Sequence, residues 1–139
     1  MHERVYVTKK VSFEAAHFLP NYQGSCGNLH GHSYKLEVTV SAVINTNKWK
    51  EGEKLNPTEG MVLDFKNLKN AINAVVGKYD HANLNEFFVL PTAECMAVSI
   101  YNEFVEYTKH YLLPDQFRVE SVKLWETEDS YAEYRGETE

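Results

Sequence analysis

The chain has 139 residues, 43% of them hydrophobic and 24% charged, which predicts one folded domain over residues 1–139. No apolar run approaches the roughly 18 residues of a transmembrane helix, and no signal-peptide core follows Met1, so we expect a cytoplasmic protein. The net charge of −6 includes no basic block, which argues against nucleic acid as a partner. Cys26 and Cys95 are expected to be free thiols in a reducing compartment.

The first half of the chain predicts two strands, each followed by a polar connection that contains glycine. The strands are predicted over 5–15 and 33–44, and the connections over 21–28 and 45–60. In the second strand, Tyr34 and every second residue after it are apolar. His30 and His32 have the same parity as Tyr34, so a strand that began at His30 would extend this apolar face with both histidines.

The second half predicts two helices followed by two strands. The predicted elements are a short strand over 61–63, a helix from the N-cap Asp64 to Gly77, an irregular segment over 79–90, a helix from Pro91-Thr92 to before Pro114, and an antiparallel pair over 118–125 and 131–134. Cys95, beside Met96, is expected to pack in the core. Because no βαβ unit repeats, an α+β fold with an antiparallel sheet and helices on one face is favoured over a parallel doubly wound fold.

The motif Cys26-Gly27-Asn28-Leu29-His30-Gly31-His32 is the segment most indicative of chemistry. In a strand, His30 and His32 would point to the same side, and His17 lies upstream. Three neutral imidazoles would hold Zn²⁺ and leave its fourth tetrahedral position open, as in catalytic rather than structural zinc sites. A lone His-x-His pair is weak evidence, and a loop with scattered polar residues is the alternative. The additional His17 and Cys26 favour a site.

Two further groups are candidates for acid–base chemistry. A carboxylate next to an imidazole, as in Asp80-His81, can orient the ring and stabilise its protonated form. Residues adjacent in sequence need not touch, however, and a polar loop is the alternative for this pair. Cys26 would be a useful base near neutral pH only if a neighbouring cation or metal lowered the pKa of its thiol.

Two acidic residues have structural explanations of their own. Glu126 lies in Trp125-Glu126-Thr127-Glu128-Asp129, where the pattern alone favours a solvated acidic turn between strands. Glu94 lies in the first turn of the second predicted helix, where a carboxylate compensates the helix dipole.

Six segments, in this order, resemble the 6-pyruvoyltetrahydropterin synthase superfamily, whose members have the tunnelling fold. They cover nearly the whole chain and are Phe13-Glu14-Ala15-Ala16-His17, Cys26-x-x-x-His30-Gly31-His32, Gly60-Met61-Val62-Leu63-Asp64-Phe65, Asp80-His81-Ala82-Asn83-Leu84-Asn85, Pro91-Thr92-Ala93-Glu94 and Trp125-Glu126-Thr127. The three-residue gap between Cys26 and His30 resembles the branch that makes 6-carboxy-5,6,7,8-tetrahydropterin in queuosine biosynthesis. Pyruvoyl-forming animal enzymes typically have a longer gap, and the branch that cleaves dihydroneopterin for folate typically has Glu in place of Cys26.

The resemblance implies roles for individual residues. The implied Zn²⁺ ligands are His17, His30 and His32, the implied catalytic residues are Cys26, Asp80, His81 and Glu126, and the implied substrate-binding residues are Glu126, Thr92 and Glu94. Cys26 would accept a proton, and Asp80 and His81 would form a proton relay with it. The carboxylate of Glu126 would anchor the pterin, because it can accept two parallel hydrogen bonds from the ring N–H and the exocyclic amine.

The resemblance also implies an assembly and a reaction. The family's subunit has a four-stranded antiparallel sheet and two helices. Its sheets join around a threefold axis into a barrel, and two trimers stack into a homohexamer with active sites between subunits. The implied reaction converts 7,8-dihydroneopterin triphosphate into 6-carboxytetrahydropterin, acetaldehyde and triphosphate. The alternatives are a 6-pyruvoyltetrahydropterin synthase, which stops after loss of triphosphate, and a non-catalytic zinc- or purine-binding module on the same fold.

Overall fold

A five-stranded sheet is the central element of the computed structural model, which describes residues 2–46 and 49–136. The strands are β1 (His2–His17), β2 (His30–Asn45), β3 (Ala82–Asn83), β4 (Arg118–Thr127) and β5 (Ser130–Tyr134), in the spatial order β3-β1-β2-β4-β5. The four longer strands pair antiparallel, and β3 pairs parallel with β1. The predicted α+β class is confirmed, and the two-residue β3 is an addition within the segment predicted to be irregular.

Two α-helices, α1 (Phe65–Val76) and α2 (Ala93–Thr108), begin at capping residues. Asp64 accepts a hydrogen bond from the backbone N–H of Lys66 at 2.7 Å, as its predicted N-cap role requires. Thr92 Oγ1 accepts one from the N–H of Cys95 at 3.1 Å. Each bond satisfies an amide that has no partner within its helix. Short 3-10 helices lie at Ser25–Gly27, Pro57–Gly60, Gly77–Tyr79 and Leu84–Glu86.

Both α-helices pack on the same face of the sheet, and the core lies between them and the central strands. The largest fully buried apolar side chains are Tyr34, Leu36, Leu68, Tyr79, Leu84, Met96, Ile72, Ile100, Phe104 and Leu124. The alternation predicted for β2 is confirmed, because Tyr34, Leu36 and Val38 are completely buried while Ser33 and Lys35 are exposed. β2 begins at His30, so the histidines do extend this buried face.

Two predictions about local packing are wrong. Residues 61–63 contain a bend at Val62 and Leu63 instead of the predicted strand, because these two side chains reach the core without backbone pairing to the sheet. Cys95 is exposed instead of core-packed, because the buried face of α2 includes Met96, Ala97 and Ile100. Residues 47 and 48 of the predicted connection over 45–60 lie outside the described residues.

The outer edge of β1 is open over most of its length. β3 pairs only with Ala15 and Ala16, and no other strand of the described residues lies along that edge. Beside it, an apolar cavity of about 460 Å³ is lined by residues that include Val5, Met61 and Phe65. The sheet of the single chain is therefore not closed. Within residues 2–46 and 49–136, no helix is long and apolar enough to cross a membrane.

Candidate metal centre

Three histidines meet at the end of the sheet where β1 stops and β2 starts. His17 and His30 are register partners across the two strands, and His32 lies two residues further along the same face of β2. One ring nitrogen from each histidine lies within 4.8 Å of the others, a grouping that could hold a metal ion. The side chain of His17 is buried, and those of His30 and His32 are half-buried. The predicted set of three histidines is thus brought together by strand register.

Backbone carbonyls determine which ring nitrogens carry protons. His17 Nδ1 lies 2.8 Å from the carbonyl oxygen of Pro91, and His30 Nδ1 lies 2.7 Å from that of Asn28. Because a carbonyl only accepts, each Nδ1 is the N–H donor, and the lone pair that can bind a metal is the one on Nε2. The two Nε2 atoms face each other at 3.1 Å. Two lone pairs at this distance repel, and a bound cation would turn both into ligands, so the site fits a metal.

His32 completes the group as a neutral ligand. Its Nε2 is buried and has no hydrogen-bond partner among the described residues. Burial lowers the pKa of His32, the Glu126 carboxylate opposes this shift, and the rings of His17 and His30 lower it further. The lowered pKa favours the unprotonated ring that a metal requires. An orphaned buried nitrogen costs free energy, and a metal ion would satisfy it.

Glu126 lies beside this group in β4. Its Oε1 is 3.5 Å from His32 Nε2, without the geometry of a hydrogen bond. The pairing of β4 with β5 shifts register between Trp125 and Thr127, so Glu126 lies at a β-bulge, a feature that redirects a side chain. The solvated-turn interpretation of Glu126 is therefore wrong. Burial, with a smaller contribution from Glu126, raises the pKa of the neighbouring Tyr34, which stays a neutral phenol.

Asp80 and His81 lie in contact at the outer edge of β1. Asp80 Oδ1 lies 3.1 Å from His81 Nδ1 and accepts a hydrogen bond from the backbone N–H of Glu14 at 2.9 Å. The Glu14 N–H and, to a smaller extent, His81 lower the pKa of Asp80. His81 has a φ of 60° and its side chain is 79% exposed. An open groove of about 520 Å³ lies beside it, lined in part by Ser33.

The structure does not bring the remaining predicted residues into the histidine group. Cys26 is exposed in its 3-10 turn, and among the described residues its sulfur is not one of the grouped ligand atoms. Thr92 caps α2, and Glu94 is exposed in the first turn of that helix. Asn28 and Pro91, whose carbonyls orient the rings, were missed because every residue has a carbonyl and no sequence pattern marks these two.

Comparison with known proteins gives one consistent result. The family model described as 6-pyruvoyl tetrahydropterin synthase matches residues 6–137. A relative from Archaeoglobus fulgidus is 36% identical over 135 residues, covering 97% of this chain and 99% of the relative. The 6-carboxy-5,6,7,8-tetrahydropterin synthase of Haemophilus influenzae is 34% identical over 152 residues, covering 93% and 97%.

The fold agrees with these matches. The structure of Caenorhabditis elegans 6-pyruvoyl tetrahydropterin synthase superposes with a TM-score of 0.72 at 25% identity, covering 97% of each chain. Family match, full-length relatives and fold thus all point the same way. The chain belongs to the 6-pyruvoyl tetrahydropterin synthase family.

Proposed function

We propose that this chain is a zinc-dependent 6-carboxy-5,6,7,8-tetrahydropterin synthase of queuosine biosynthesis, a lyase that acts in the cytoplasm as a single domain over residues 1–139. The reaction converts 7,8-dihydroneopterin triphosphate and one water into 6-carboxytetrahydropterin, acetaldehyde and triphosphate. The identity of 34% to the Haemophilus influenzae enzyme supports this branch of the family. The three-residue gap between Cys26 and His30 supports it as well.

The observation that carries the proposal is the pair of Nε2 atoms, 3.1 Å apart, that face each other from His17 and His30. With the orphaned Nε2 of His32, they offer three neutral nitrogen ligands. Three such ligands and an open fourth position suit catalytic Zn²⁺. When bound there, Zn²⁺ supplies Lewis-acid polarisation of substrate oxygens and so acidifies the neighbouring C–H.

Glu126 anchors the pterin next to these ligands. Its carboxylate accepts parallel hydrogen bonds from the pyrimidine N–H and the exocyclic amine, which are stronger than bonds to a neutral acceptor. Its position 3.5 Å from His32 supports a binding site for the ring beside the metal ligands. Thr92 and Glu94 contact the pterin from the start of α2, which adjoins the site because the preceding Pro91 binds His17.

Cys26 and the Asp80–His81 pair move protons. Cys26 removes a proton from the substrate side chain, and His81 returns one to the ring, so that the substrate is oxidised and reduced internally. Asp80 holds His81 through Nδ1 and leaves Nε2 to exchange the proton. Asp80 is ionised at neutral pH because the Glu14 N–H and His81 lower its pKa. The ionised carboxylate orients the imidazole of His81.

The active site is completed by assembly into a homohexamer. His81 lies exposed at the outer edge of β1, and Cys26 is exposed in the loop before β2. The Asp80–His81 pair of a neighbouring subunit would then lie beside Cys26 and form the proton relay with it. The open edge of β1 and the apolar cavity beside Val5 and Phe65 offer the contact surface for such a neighbour.

A 6-pyruvoyltetrahydropterin synthase is the second candidate, because the superposed Caenorhabditis elegans protein bears that name. It would eliminate triphosphate and keep the side-chain carbons. A non-catalytic binding module is the third, and it would use the histidines and Glu126 without needing the contact between Asp80 and His81.

Product analysis separates the three. Zinc-loaded protein incubated with 7,8-dihydroneopterin triphosphate should release 6-carboxytetrahydropterin and an equal amount of acetaldehyde, detected by mass spectrometry. A pyruvoyl product without acetaldehyde would establish the second candidate. Bound pterin and bound zinc without turnover would establish the third.

A further inference from the structure

One side chain, that of Asn85, holds the residue that follows β1. Its Oδ1 accepts a hydrogen bond from the backbone N–H of Phe18 at 2.9 Å, and its Nδ2 donates one to the carbonyl oxygen of Phe18 at 3.0 Å. A single amide thus satisfies both main-chain polar groups of one residue, as a neighbouring strand would. Phe18 directly follows the proposed metal ligand His17.

His17 needs this support because it is the last residue of its strand. Its register partner His30 is the first residue of β2, so no further pair continues the ladder beyond the two. β3 pairs with Ala15 and Ala16 and stops before His17. Strand ends open more readily than strand centres. Asn85 supplies a partner where β3 has already ended.

The segment that carries Asn85 also orients the imidazole of His17. The N–H of Asn85 donates to Asn83 Oδ1 at 3.1 Å, which fixes the turn from which the amide extends. Further along the same segment, the Pro91 carbonyl accepts the hydrogen bond from His17 Nδ1. If Phe18 shifted relative to this segment, the Cα of His17 would move relative to the carbonyl that orients its ring.

We propose that Asn85 is a positioning residue of the metal centre. By fixing the backbone at Phe18, it holds His17 Nε2 opposite His30 Nε2, where both can bind one cation. This inference rests on the proposed zinc site. Groups that hold a metal ligand in place typically contribute about 10- to 100-fold to metal affinity.

The test measures metal binding by two variants, Asn85→Asp and Asn85→Ser. In Asn85→Asp, an oxygen replaces the Nδ2 donor and faces the Phe18 carbonyl. In Asn85→Ser, the pair of hydrogen bonds to the Phe18 backbone is lost. Affinity for Zn²⁺, measured by competition with a chelator, should fall about 10- to 100-fold. The visible absorption of the Co²⁺-substituted protein should also change, because it reports the arrangement of the ligand atoms.

Asp64→Ala is the matched control for stability, because it removes a hydrogen bond at the start of α1, beside the far end of β2. It should lower the Tm while leaving the Zn²⁺ affinity and Co²⁺ spectrum unchanged. Wild-type affinity and spectrum in the Asn85 variants would overturn the inference, and so would an equal loss of affinity in Asp64→Ala. If Asn85→Asp does not fold, Asn85→Ser decides. His17→Ala tests the zinc site separately, since wild-type affinity in that variant would refute the site itself.

Discussion

The backbone carbonyls of Asn28 and Pro91 determine which ring nitrogen of two histidines can bind a metal. Each accepts the Nδ1–H of one ring and thereby leaves Nε2 as a lone-pair donor, at 2.7 Å for His30 and 2.8 Å for His17. Such outer partners fix the tautomer and the orientation of a metal-binding ring. At the scale of the residue, the candidate metal site is therefore built by backbone groups as much as by the histidines themselves.

His30→Ala should remove the bound metal. The wild type is expected to hold about one zinc per chain, and the variant should hold almost none, because two histidines are too few for a stable site. His30 is preferred to His17 for this test because it is only half-buried and leaves no core cavity. Elemental analysis of purified protein measures the outcome, with His110→Ala, outside the group, as control. Stoichiometric zinc in His30→Ala would refute His30 as a ligand.

Glu126→Gln should weaken pterin binding while preserving the shape of the side chain. The amide replaces one acceptor with a donor that faces a donor on the ring. The expected cost is about 2–3 kcal/mol, or roughly 30- to 150-fold in Kd. Calorimetry with 7,8-dihydroneopterin measures it. Glu128→Gln is the matched control, because Glu128 is exposed near the β4–β5 turn and should matter little. Equal effects of the two changes would contradict the anchoring role.

Cys26→Ala should separate catalysis from binding. If the thiol is the base, the variant keeps zinc and pterin but loses about 10²- to 10⁴-fold in turnover, the usual contribution of a positioned base. Cys95→Ala is the matched control, since Cys95 is also an exposed free thiol. Turnover is measured beside zinc content in one preparation of each variant. Near wild-type turnover in Cys26→Ala would remove Cys26 from the mechanism, and loss of zinc would make it a ligand.

At the scale of the element, Asp80 fastens the segment before β3 to β1 through the N–H of Glu14. The folded-state pKa of Asp80 is lowered, so the stabilisation by its carboxylate is present above about pH 4, the ordinary pKa. It is lost as the pH falls through the lowered value. Asp80→Asn should therefore have a lower Tm than wild type at pH 7, and the difference should shrink below about pH 4. Thermal unfolding across this range measures it, with the exposed Asp115→Asn as control; a constant difference would contradict the assignment.

Local sequence patterns of strands and helices predicted most of the fold. The features that they did not predict depend on how the strands pair with one another. The strict alternation after Tyr34 and the cap at Asp64 identify β2 and α1, because those signals are local. Residues 61–63 were predicted as a strand since an apolar triplet looks the same in a strand and in a buried bend. β3 has only two residues, too few to show a period.

The candidate site likewise has features that could be predicted from the sequence and features that depend on strand pairing. The shared parity of His30 and His32 is visible in the sequence, and the structure keeps both on one face. Their meeting with His17 depends on the pairing of β1 with β2, which no local pattern specifies. Glu126 was interpreted from the sequence pattern alone as a turn residue because the β-bulge that redirects it is a property of two strands. Its proposed role came from the family resemblance.

Across the described residues as a whole, the helices cover one face of the sheet, and the edge of β1 is open except where β3 pairs with it. Exposed strand edges are sites of pairing with another chain. The apolar cavity beside this edge, lined in part by Val5, Val7 and Phe65, adds area that a neighbour could bury. The proposed homohexamer places a second copy there, and the edge then becomes part of the active site.

Phe65→Asp should weaken that assembly without unfolding the subunit. Phe65 is 57% exposed as the first residue of α1, where an acidic side chain suits the helix dipole. The variant should elute as a species smaller than the wild-type hexamer in size-exclusion chromatography with light scattering, and its turnover should fall along with the assembly. Val98→Asp is the matched control, because Val98 is exposed on α2 away from this cavity and should leave the mass unchanged. A Phe65→Asp protein that keeps the wild-type mass would show that this surface is not the contact between subunits. A smaller species that keeps full turnover would show instead that one chain holds a complete active site, and the exposed Asp80–His81 pair would then have to reach Cys26 within its own subunit.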